Sequence, residues 1–303
     1  ATQENLRTLI LQTARAYFEV LRRQELLQVA DETVRRAETI LQAVRAQAEV
    51  GTAPAKDVLQ AEADLANARV QQIQARNALR LAETDLKRLL GWSAEKPLPT
   101  LQKVENPATA SVSENLQALW EQARRQRPDL KATELSAQSA RLALEIARMN
   151  SLVQLRLSVS GFREFDPNTR TQGQIQILAS YPLFDGGLLR ANLREAEASY
   201  RGALFRLTQA ERDAYAEVES AYLSVQETRE RLSAAQLALA AAQRNYEAAR
   251  DAFQDGAGTL IEVLTAQLAL TTAQTNFVQA VYDSALADLQ LRYATGARLP
   301  AEP

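Results

Sequence analysis

Apolar and polar side chains follow each other along most of this chain with the spacing of an α-helix. From about residue 3 to residue 49 the pattern predicts one long helix, which begins with Leu6, Leu9 and Ile10 on one face. Gly51 predicts its end, because glycine takes the left-handed capping conformation without steric cost. A second helix is predicted from about residue 54 to residue 90. Two long helices joined by so short a turn run antiparallel.

The same helical spacing returns in the second half of the chain. A helix is predicted from about residue 113 to residue 150, with a break after Arg127 because a following proline disfavours helical conformation. Further helices are predicted from about 188 to 254 and from about 259 to 296, joined by a turn at Gly256–Gly258.

The first helical hairpin recurs later in the chain at a constant offset of 205 residues, as from Gly51 to Gly256. The offset also carries Ala16-Tyr17 onto Ala221-Tyr222, Leu65 onto Leu270, Leu86 onto Leu291 and Gly91 onto Gly296. Two helical patterns that break at the same place indicate one supersecondary unit used twice.

Between residues 151 and 184 the apolar residues recur at every second position. Val153, Leu155, Leu157 and Val159 alternate with polar residues, and so do Ile175, Ile177, Ala179 and Tyr181 after the turn cluster Asp166-Pro167-Asn168. This alternation predicts a β-hairpin with one apolar and one polar face.

Two interpretations of this hairpin remain open. It is either an antiparallel pair that packs its apolar face on a helix of a soluble domain, or a transmembrane hairpin with lipid on one face and a polar lumen on the other. The strands, about 12–14 residues each, exceed the roughly 9–11 that a tilted membrane strand needs. A lone hairpin is unstable, so it must join other strands.

Composition excludes several classes of function. The charge is nearly balanced at −2, so the chain lacks the basic surface of a nucleic-acid partner. It contains no Cys and no His, which removes thiol and imidazole nucleophiles and Cys/His metal sites. No phosphate loop or nucleophile motif is present either. The sequence therefore predicts no enzyme, no cofactor and no metal.

Ordered motifs along the whole chain resemble the TolC-type outer-membrane efflux proteins. The similarity lies in Tyr181-Pro182-Leu183-Phe184-Asp185-Gly186-Gly187, in Ala221-Tyr222 on the following helix, and in Arg127-Pro128-Asp129-Leu130. It also includes the two glycine turns, each followed by Asp57-Val58-Leu59 or Glu262-Val263-Leu264.

The resemblance implies a mainly α-helical fold, in which long antiparallel coiled-coil hairpins form an α-barrel and a transmembrane β-hairpin contributes to a trimeric β-barrel. The homotrimer would sit in the outer membrane of a Gram-negative-type bacterium and extend into the periplasm. It would be a passive exit duct whose helical tip docks a periplasmic adaptor and, through it, an inner-membrane pump. A periplasmic coiled-coil scaffold or adaptor-like protein is the alternative.

The predicted domain organisation has five segments. They are the first helical hairpin at 1–91, a Pro-bearing connector at 92–112, a helix leading to the strands at 113–150, the β-hairpin at 151–184 and the second helical hairpin at 185–303. Members of the family carry two copies of helix, β-hairpin and helical hairpin. We therefore expect a first helix and a first β-hairpin outside this chain, since two strands from each of three protomers make fewer than the roughly eight of the smallest ordinary barrels.

The candidate site residues fall into three groups. The tip turns that would dock the adaptor are Gly51, Thr52, Gly256 and Gly258. The tunnel-entrance acids are Asp57 and Glu262. Both lie in the first turn of a helix, where an acid complements the helix dipole, and Thr259-x-x-Glu262 is also a capping box. Helix capping alone is the alternative explanation, and the two roles can hold together. The residues facing the barrel lumen are Gln154, Arg156, Ser158, Gln174 and Gln176.

The tip of the best-known member of the family is closed by tyrosine, arginine and aspartate contacts. At the matching positions this chain keeps Asp57 but has Phe253 for the tyrosine, Gly258 for the arginine and Thr265 for a further aspartate. We therefore expect a different or looser closure.

Overall fold

The computed structural model describes residues 2–93, 95–99, 101, 115–164 and 170–299. Their elements, in chain order, are α1 Thr2–Glu49, α2 Ala55–Leu89, α3 Leu116–Gln126, α4 Pro128–Met149, β1 Gln154–Glu164, β2 Arg170–Ser180, α5 Leu188–Gln254 and α6 Leu260–Ala294. The predicted helices and strands are thereby confirmed. The turn cluster Asp166-Pro167-Asn168 and most of the connector lie outside the described residues.

The chain forms two compact units. One comprises Arg127–Tyr215, with α4, the β-hairpin and the beginning of α5. The other comprises Thr2–Gln126 and Ala216–Pro303, with α1 to α3, the remainder of α5, and α6. The five segments drawn from the sequence stay a prediction.

Antiparallel packing of α1 on α2 is reinforced by polar contacts along the seam. Arg45 contacts Glu62 at 2.6 Å and Arg69 contacts Glu38 at 2.9 Å. These pairs are largely exposed, so each contributes little to stability. The packing rests mainly on a buried apolar cluster that also includes residues of α5 and α6. Its members are Val34, Ala37, Ile40, Leu41, Val44, Ala61, Leu65, Ala68, Tyr246, Phe253, Leu260, Val263, Ala266 and Leu270.

The second helical hairpin pairs α5 with α6. Val218 and Val225 of α5 share a buried cluster with Ala287 and Leu291 of α6 and with residues of α3. Arg229 reaches Asp288 at 3.5 Å, and Arg231 contacts Asp283. None of the described helices combines the length and the apolar run that crossing a bilayer requires.

The break between α3 and α4 has the predicted cause. Arg127 takes an extended conformation (φ −69°, ψ 121°) and Pro128 opens α4, where its missing N–H costs nothing. The buried Arg127 guanidinium then binds both carboxylate oxygens of Asp129 at 3.0 and 2.6 Å. Burial alone would raise the pKa of Asp129, but the hydrogen bonds and charge of Arg127 lower it.

Strands β1 and β2 pair antiparallel in a register that places apolar residues opposite apolar residues. Leu155 lies opposite Ala179, Leu157 opposite Ile177 and Val159 opposite Ile175. Since neighbouring side chains in a strand point to opposite faces, these pairs form one apolar face. Leu155, Leu157, Val159, Ile175 and Ile177 are all exposed in the single chain.

Candidate functional site

The two helical hairpins turn with the same backbone hydrogen bonds. We call residues 50–54 the first tip turn and residues 255–259 the second. The Thr52 N–H donates to the Gln47 carbonyl at 2.9 Å, and its counterpart Ala257 donates to Ala252 at the same distance. Gly51 and Gly256 both have positive φ, 79° and 74°, as a left-handed helix cap requires.

Gly258 is fixed by space rather than by its φ angle. A Cβ atom there would lie 3.1 Å from the Phe253 nitrogen and 3.2 Å from Ala252 atoms. The neighbouring backbone would have to give by a few tenths of an ångström to admit a side chain at this position.

The two predicted entrance acids differ in their capping hydrogen bonds. Glu262 completes a capping box: its carboxylate accepts from the Thr259 N–H at 2.7 Å, and the Thr259 hydroxyl accepts from the Glu262 N–H. Pro54 takes the same position before α2, and a proline has no N–H to donate. No side chain caps Pro54 among the described residues, and the equivalent acid Asp57 stays outside any such box.

The capping contacts also set the charge of Glu262. Hydrogen bonds from the backbone and side chain of Thr259 lower the pKa of Glu262 below its ordinary value. The carboxylate is therefore ionised at neutral pH and complements the positive end of the α6 dipole. The predicted capping box is confirmed, while an added role of Glu262 at a tunnel entrance stays a prediction.

A groove of about 540 Å³ separates the beginnings of α2 and α6. Its lining residues are Lys56, Asp57, Gln60, Asp64, Leu260, Ile261, Leu264, Thr265 and Leu268. The α2 side is thus polar and charged, and the α6 side is mainly apolar. Asp57 lines this groove, whereas Glu262 does not.

A partly buried polar pair lies at the groove. The Gln267 side-chain amide donates to Asp64 at 3.1 Å, and Gln267 is buried. Its carbonyl oxygen has no hydrogen-bond partner among the described residues. Burial raises the pKa of Asp64, and the hydrogen bond from Gln267 opposes that rise.

Phe253 and Thr265 lie in different environments. Phe253 is buried in the apolar cluster below the tip turns, and Thr265 lines the groove. Within the described residues, no group of acidic side chains is placed to hold a metal ion.

The predicted lumen residues share one face of the hairpin. Gln154 pairs with Ser180, Ser158 with Gln176 and Arg156 with Leu178. Gln174 lies on the same face, opposite Ser160. Leu178 is the apolar exception in this set, and a role of the face in a lumen stays a prediction.

The segment after β2 places exposed apolar residues beside a helix cap. Tyr181, Leu183 and Phe184 are all exposed. Asp185 then accepts hydrogen bonds from the Gly187 N–H at 3.0 Å and the Leu189 N–H at 2.6 Å. These backbone bonds lower the pKa of Asp185. Asp185 therefore caps the N-terminal end of α5.

Comparison with known proteins identifies the family. The sequence profile described as "Outer membrane efflux protein" matches residues 1–92 and 119–297. The outer membrane protein TolC of Vibrio cholerae is 30% identical over 305 residues, which are 98% of this chain and 68% of the relative. The cation efflux system protein CusC of Escherichia coli is 28% identical, over 98% of this chain and 66% of the relative.

The chain belongs to the outer membrane efflux protein family. Crystal structures of CusC superpose with a TM-score of 0.81 at 25% identity, covering 98% of this chain and 71% of the other. The predicted fold of long antiparallel helix pairs with one β-hairpin is thereby confirmed. So are the outer-membrane location and the prediction that the chain is not an enzyme. The chain spans 62–68% of the length of the first three curated relatives it matches.

Three contacts of the structure were not predicted from the sequence. The cap at Asp185 was visible as an acid placed just before a glycine pair and a long helix. The Asp64–Gln267 pair joins residues 203 positions apart, and no local signal marks it. Arg7, which donates to the Gly296 carbonyl just beyond α6, is one arginine among many on a long helix.

Proposed function

We propose that this chain is part of a passive exit duct, an outer-membrane channel of a tripartite efflux or secretion system. Three copies would assemble, with their strands in one barrel and their helices reaching into the periplasm. The observation that carries the proposal is the β-hairpin, whose exposed apolar face stands opposite a polar face within a chain of this family.

The hairpin has the dimensions and chemistry of a membrane strand pair. Each strand is 11 residues long, and a tilted membrane strand needs about 9–11. Lipid would cover the apolar face, and water in a lumen would cover the face of Gln154, Arg156, Ser158, Gln174 and Gln176. Tyr181 and Phe184, exposed just beyond β2, suit the aromatic girdle at a membrane surface.

The groove between α2 and α6 is the proposed docking place of the adaptor. It offers apolar contacts on Ile261, Leu264 and Leu268 beside the charges of Lys56 and Asp57. An apolar floor with a charged rim is the usual anatomy of a protein interface. The tight turns at Gly51, Thr52, Gly256 and Gly258 leave little bulk beyond the groove and let a partner approach the helix ends.

The entrance acids would act by charge. Asp57 and Glu262 lie in the first turns of α2 and α6, at the same end of their hairpins. Repeated in three copies, they would form an acidic ring that favours cations. Reversing both charges should lower cation conductance in planar bilayers, and unchanged selectivity would remove these residues from any entrance role.

The cargo is proposed to be chosen by the pump. Relatives of similar identity are named for alkaline protease secretion, for cation efflux and for pyoverdine export. One duct architecture thus serves proteins, metal cations and small organic molecules. The scaffold alternative has no comparable support, since the family is one of outer-membrane efflux proteins.

A matched pair of variants separates adaptor docking from conduction. Leu268→Glu puts a charge on the apolar side of the groove, where the side chain is 66% exposed. Efflux in cells should fall steeply, while single-channel conductance stays unchanged. Leu142→Glu on α4, at a residue 58% exposed and outside the groove, is the control and should leave both intact. Equal efflux in the two variants would exclude the groove from docking.

A further inference from the structure

We propose that a layer of polar side chains between α1, α5 and α6 divides α6 into a movable part and a fixed part, and that the proposed duct changes state by movement about this layer. The layer consists of Thr33, Arg36, Tyr246, Thr271 and Gln274, and we call it the polar layer. The inference deepens the proposed duct and rests on it.

Hydrogen bonds join α1 to α6 within the polar layer. The Arg36 guanidinium donates to the Gln274 side chain at 3.0 Å and to the Thr33 hydroxyl at 3.1 Å. The hydroxyls of Thr33 and Thr271 lie 3.2 Å apart. The Tyr246 ring brings in α5, because its centre lies 6.0 Å from the Arg36 guanidinium, where a cation is attracted to an aromatic face. The layer therefore links three helices.

The polar layer lies between two apolar clusters. On the side of the tip turns, residues 34–44 of α1 and 260–270 of α6 contribute to one cluster. On the far side, Leu21 of α1 shares a second cluster with Val278 and Tyr282 of α6. The apolar contact between the two helices is therefore interrupted at the layer.

On the far side of the layer, polar contacts hold α6 to both of its neighbours. Asp283 contacts Arg22 of α1 at 3.5 Å and also contacts Arg231 of α5. Asp288 contacts Arg229 of α5 at 3.5 Å. Hydrogen-bonded groups attract each other only within a narrow range of distance and angle. Several such contacts at different heights therefore oppose both sliding and tilting of α6.

On the tip side of the layer, α6 is held differently. In the described part of the chain, the contacts of residues 260–270 with α1 and α5 are those of the apolar cluster. The Gln267 amide bonds to Asp64, but Asp64 belongs to α2. Apolar attraction is non-directional, so packed helices can slide over such a seam, as they do in shear motions. Movement of this part of α6 against α2 would break the bond of Gln267 to Asp64.

The polar layer is a costly way to fill the seam between the helices. The Arg36 Nε–H is buried and has no acceptor among the described residues. An unpaired buried donor keeps its full desolvation cost, and a well-packed apolar pair in its place is often neutral or stabilising. In coiled coils, a polar residue in the seam fixes how the helices align at a cost in stability. These properties favour a positioning role for the layer.

Disulfide bonds at equal heights on the two sides of the layer test the inference, because the chain contains no cysteine. Residues 33 and 22 of α1 contact residues 271 and 283 of α6, so the two helices run antiparallel. Seven residues bring nearly the same helix face back after about 10 Å. The tip-side pair is therefore Ile40→Cys with Leu264→Cys, and the far pair is Leu26→Cys with Val278→Cys. The members of each pair pack in one apolar cluster.

Single-channel current is recorded in planar bilayers before and after reduction, with protein extracted from its native membrane and oxidised mildly. The tip-side disulfide should suppress transitions between conductance levels, and reduction should restore them. The far disulfide joins parts that do not move, so transitions should be present before and after reduction. Mass spectrometry after alkylation verifies that both disulfides form. An equal response of the two pairs to reduction would overturn the inference.

Removal of the layer should extend the movable part of α6. Arg36→Met replaces the guanidinium by an apolar side chain and is added to the far pair. Transitions should then depend on reduction, because the next polar contact, at Asp283, lies beyond Val278. Arg45→Met is the matched control, since Arg45 contacts Glu62 of α2 on the tip side. It should leave the far pair insensitive to reduction.

The possible outcomes separate the layer from the duct. A far pair that stays insensitive to reduction in Arg36→Met would overturn the role of the layer. Unaltered protein that conducts without any transitions would also overturn it and leave the proposed duct intact. Unaltered protein that gives no current would overturn both proposals.

Discussion

The two tip turns share a backbone and differ in the side chains that hold it. In both, a glycine with positive φ follows the helix, and three equivalent amides donate back to helix carbonyls, those of residues 51–53 in the first turn and 256–258 in the second. The second turn adds the capping box of Thr259 and Glu262, whereas Pro54 leaves the first turn without one. The two copies of the repeat therefore share a backbone conformation although their equivalent acids have different contacts. Glu262 caps α6, and Asp57 lines the groove.

The opposite ends of the two hairpins differ in the same way. Gly91 and Gly296 have similar φ, 66° and 73°. Gly296 is buried, and its carbonyl accepts from Arg7 at 3.1 Å, while Gly91 is exposed. Arg7 also binds the carbonyl of Ala297 at 3.1 Å. The second helical hairpin is thus bound to α1 at Gly296, whereas the equivalent Gly91 of the first hairpin is exposed.

The largest effect is expected at this clamp. Arg7→Ala removes a buried guanidinium together with its hydrogen bonds to the Gly296 and Ala297 carbonyls, which should lower the free energy of unfolding by about 3 kcal/mol. Arg244→Ala, at an exposed arginine of α5, should stay within about 0.5 kcal/mol. Urea unfolding followed by circular dichroism measures both. Equal losses would mean that the clamp is dispensable.

The tip glycines come next and should behave alike. Gly51→Ala and Gly256→Ala each force a side chain into the left-handed region, at about 1–2 kcal/mol. Both variants are compared by urea unfolding under one set of conditions. A clear difference between them would break the backbone equivalence of the two turns.

Loss of the second cap should separate the turns. Thr259→Ala removes one partner of the capping box, with an expected loss of about 1 kcal/mol, whereas Pro54→Ala removes no cap. The pKa of Glu262 lies below its ordinary value of 4.5. Its stabilising contribution is therefore present above that pH and lost as the pH falls through the lowered pKa. NMR titration should show the pKa of Glu262 rising in Thr259→Ala; an unmoved value would mean that the box does not hold this charge.

The smallest effect is expected at the groove. Asp64→Asn supplies a donor for the unpaired Gln267 oxygen and should add up to about 1 kcal/mol at neutral pH. The pKa of Asp64 is raised above its ordinary value of 3.8. Between the ordinary and the raised pKa, the folded chain therefore binds more protons than the unfolded chain. The free energy of unfolding then falls as pH rises through that window.

Unfolding of the Asp64→Asn variant across pH 3 to 7 checks this sign. The gain should be absent at the acid end, where Asp64 is protonated, and full at neutral pH. A gain that does not depend on pH would exclude the titration of Asp64 as its cause.

Local signals predicted most of the fold. The helical spacing and the glycines placed the hairpin ends within a few residues, and α5 covers the predicted stretch from 188 to 254. Alternation alone predicted the two hairpin faces, which the register confirms. Pro54 was expected in the first turn of α2 and instead precedes it, with ψ at 149°.

The groove could not be predicted, because it depends on how α2 meets α6. The contact between Asp64 and Gln267 and the clamp at Arg7 both join residues far apart in the chain. Periodicity identifies which face of a helix is apolar but not which helix covers it. The unequal roles of Asp57 and Glu262, in contrast, follow from the missing N–H of Pro54.

Single-channel recording tests the central claim most directly. Protein extracted from its native membrane is added to a planar lipid bilayer, and the current is followed at constant voltage. The proposed duct predicts discrete conductance steps with a preference for cations. A bilayer that binds the protein and shows no steps would contradict it.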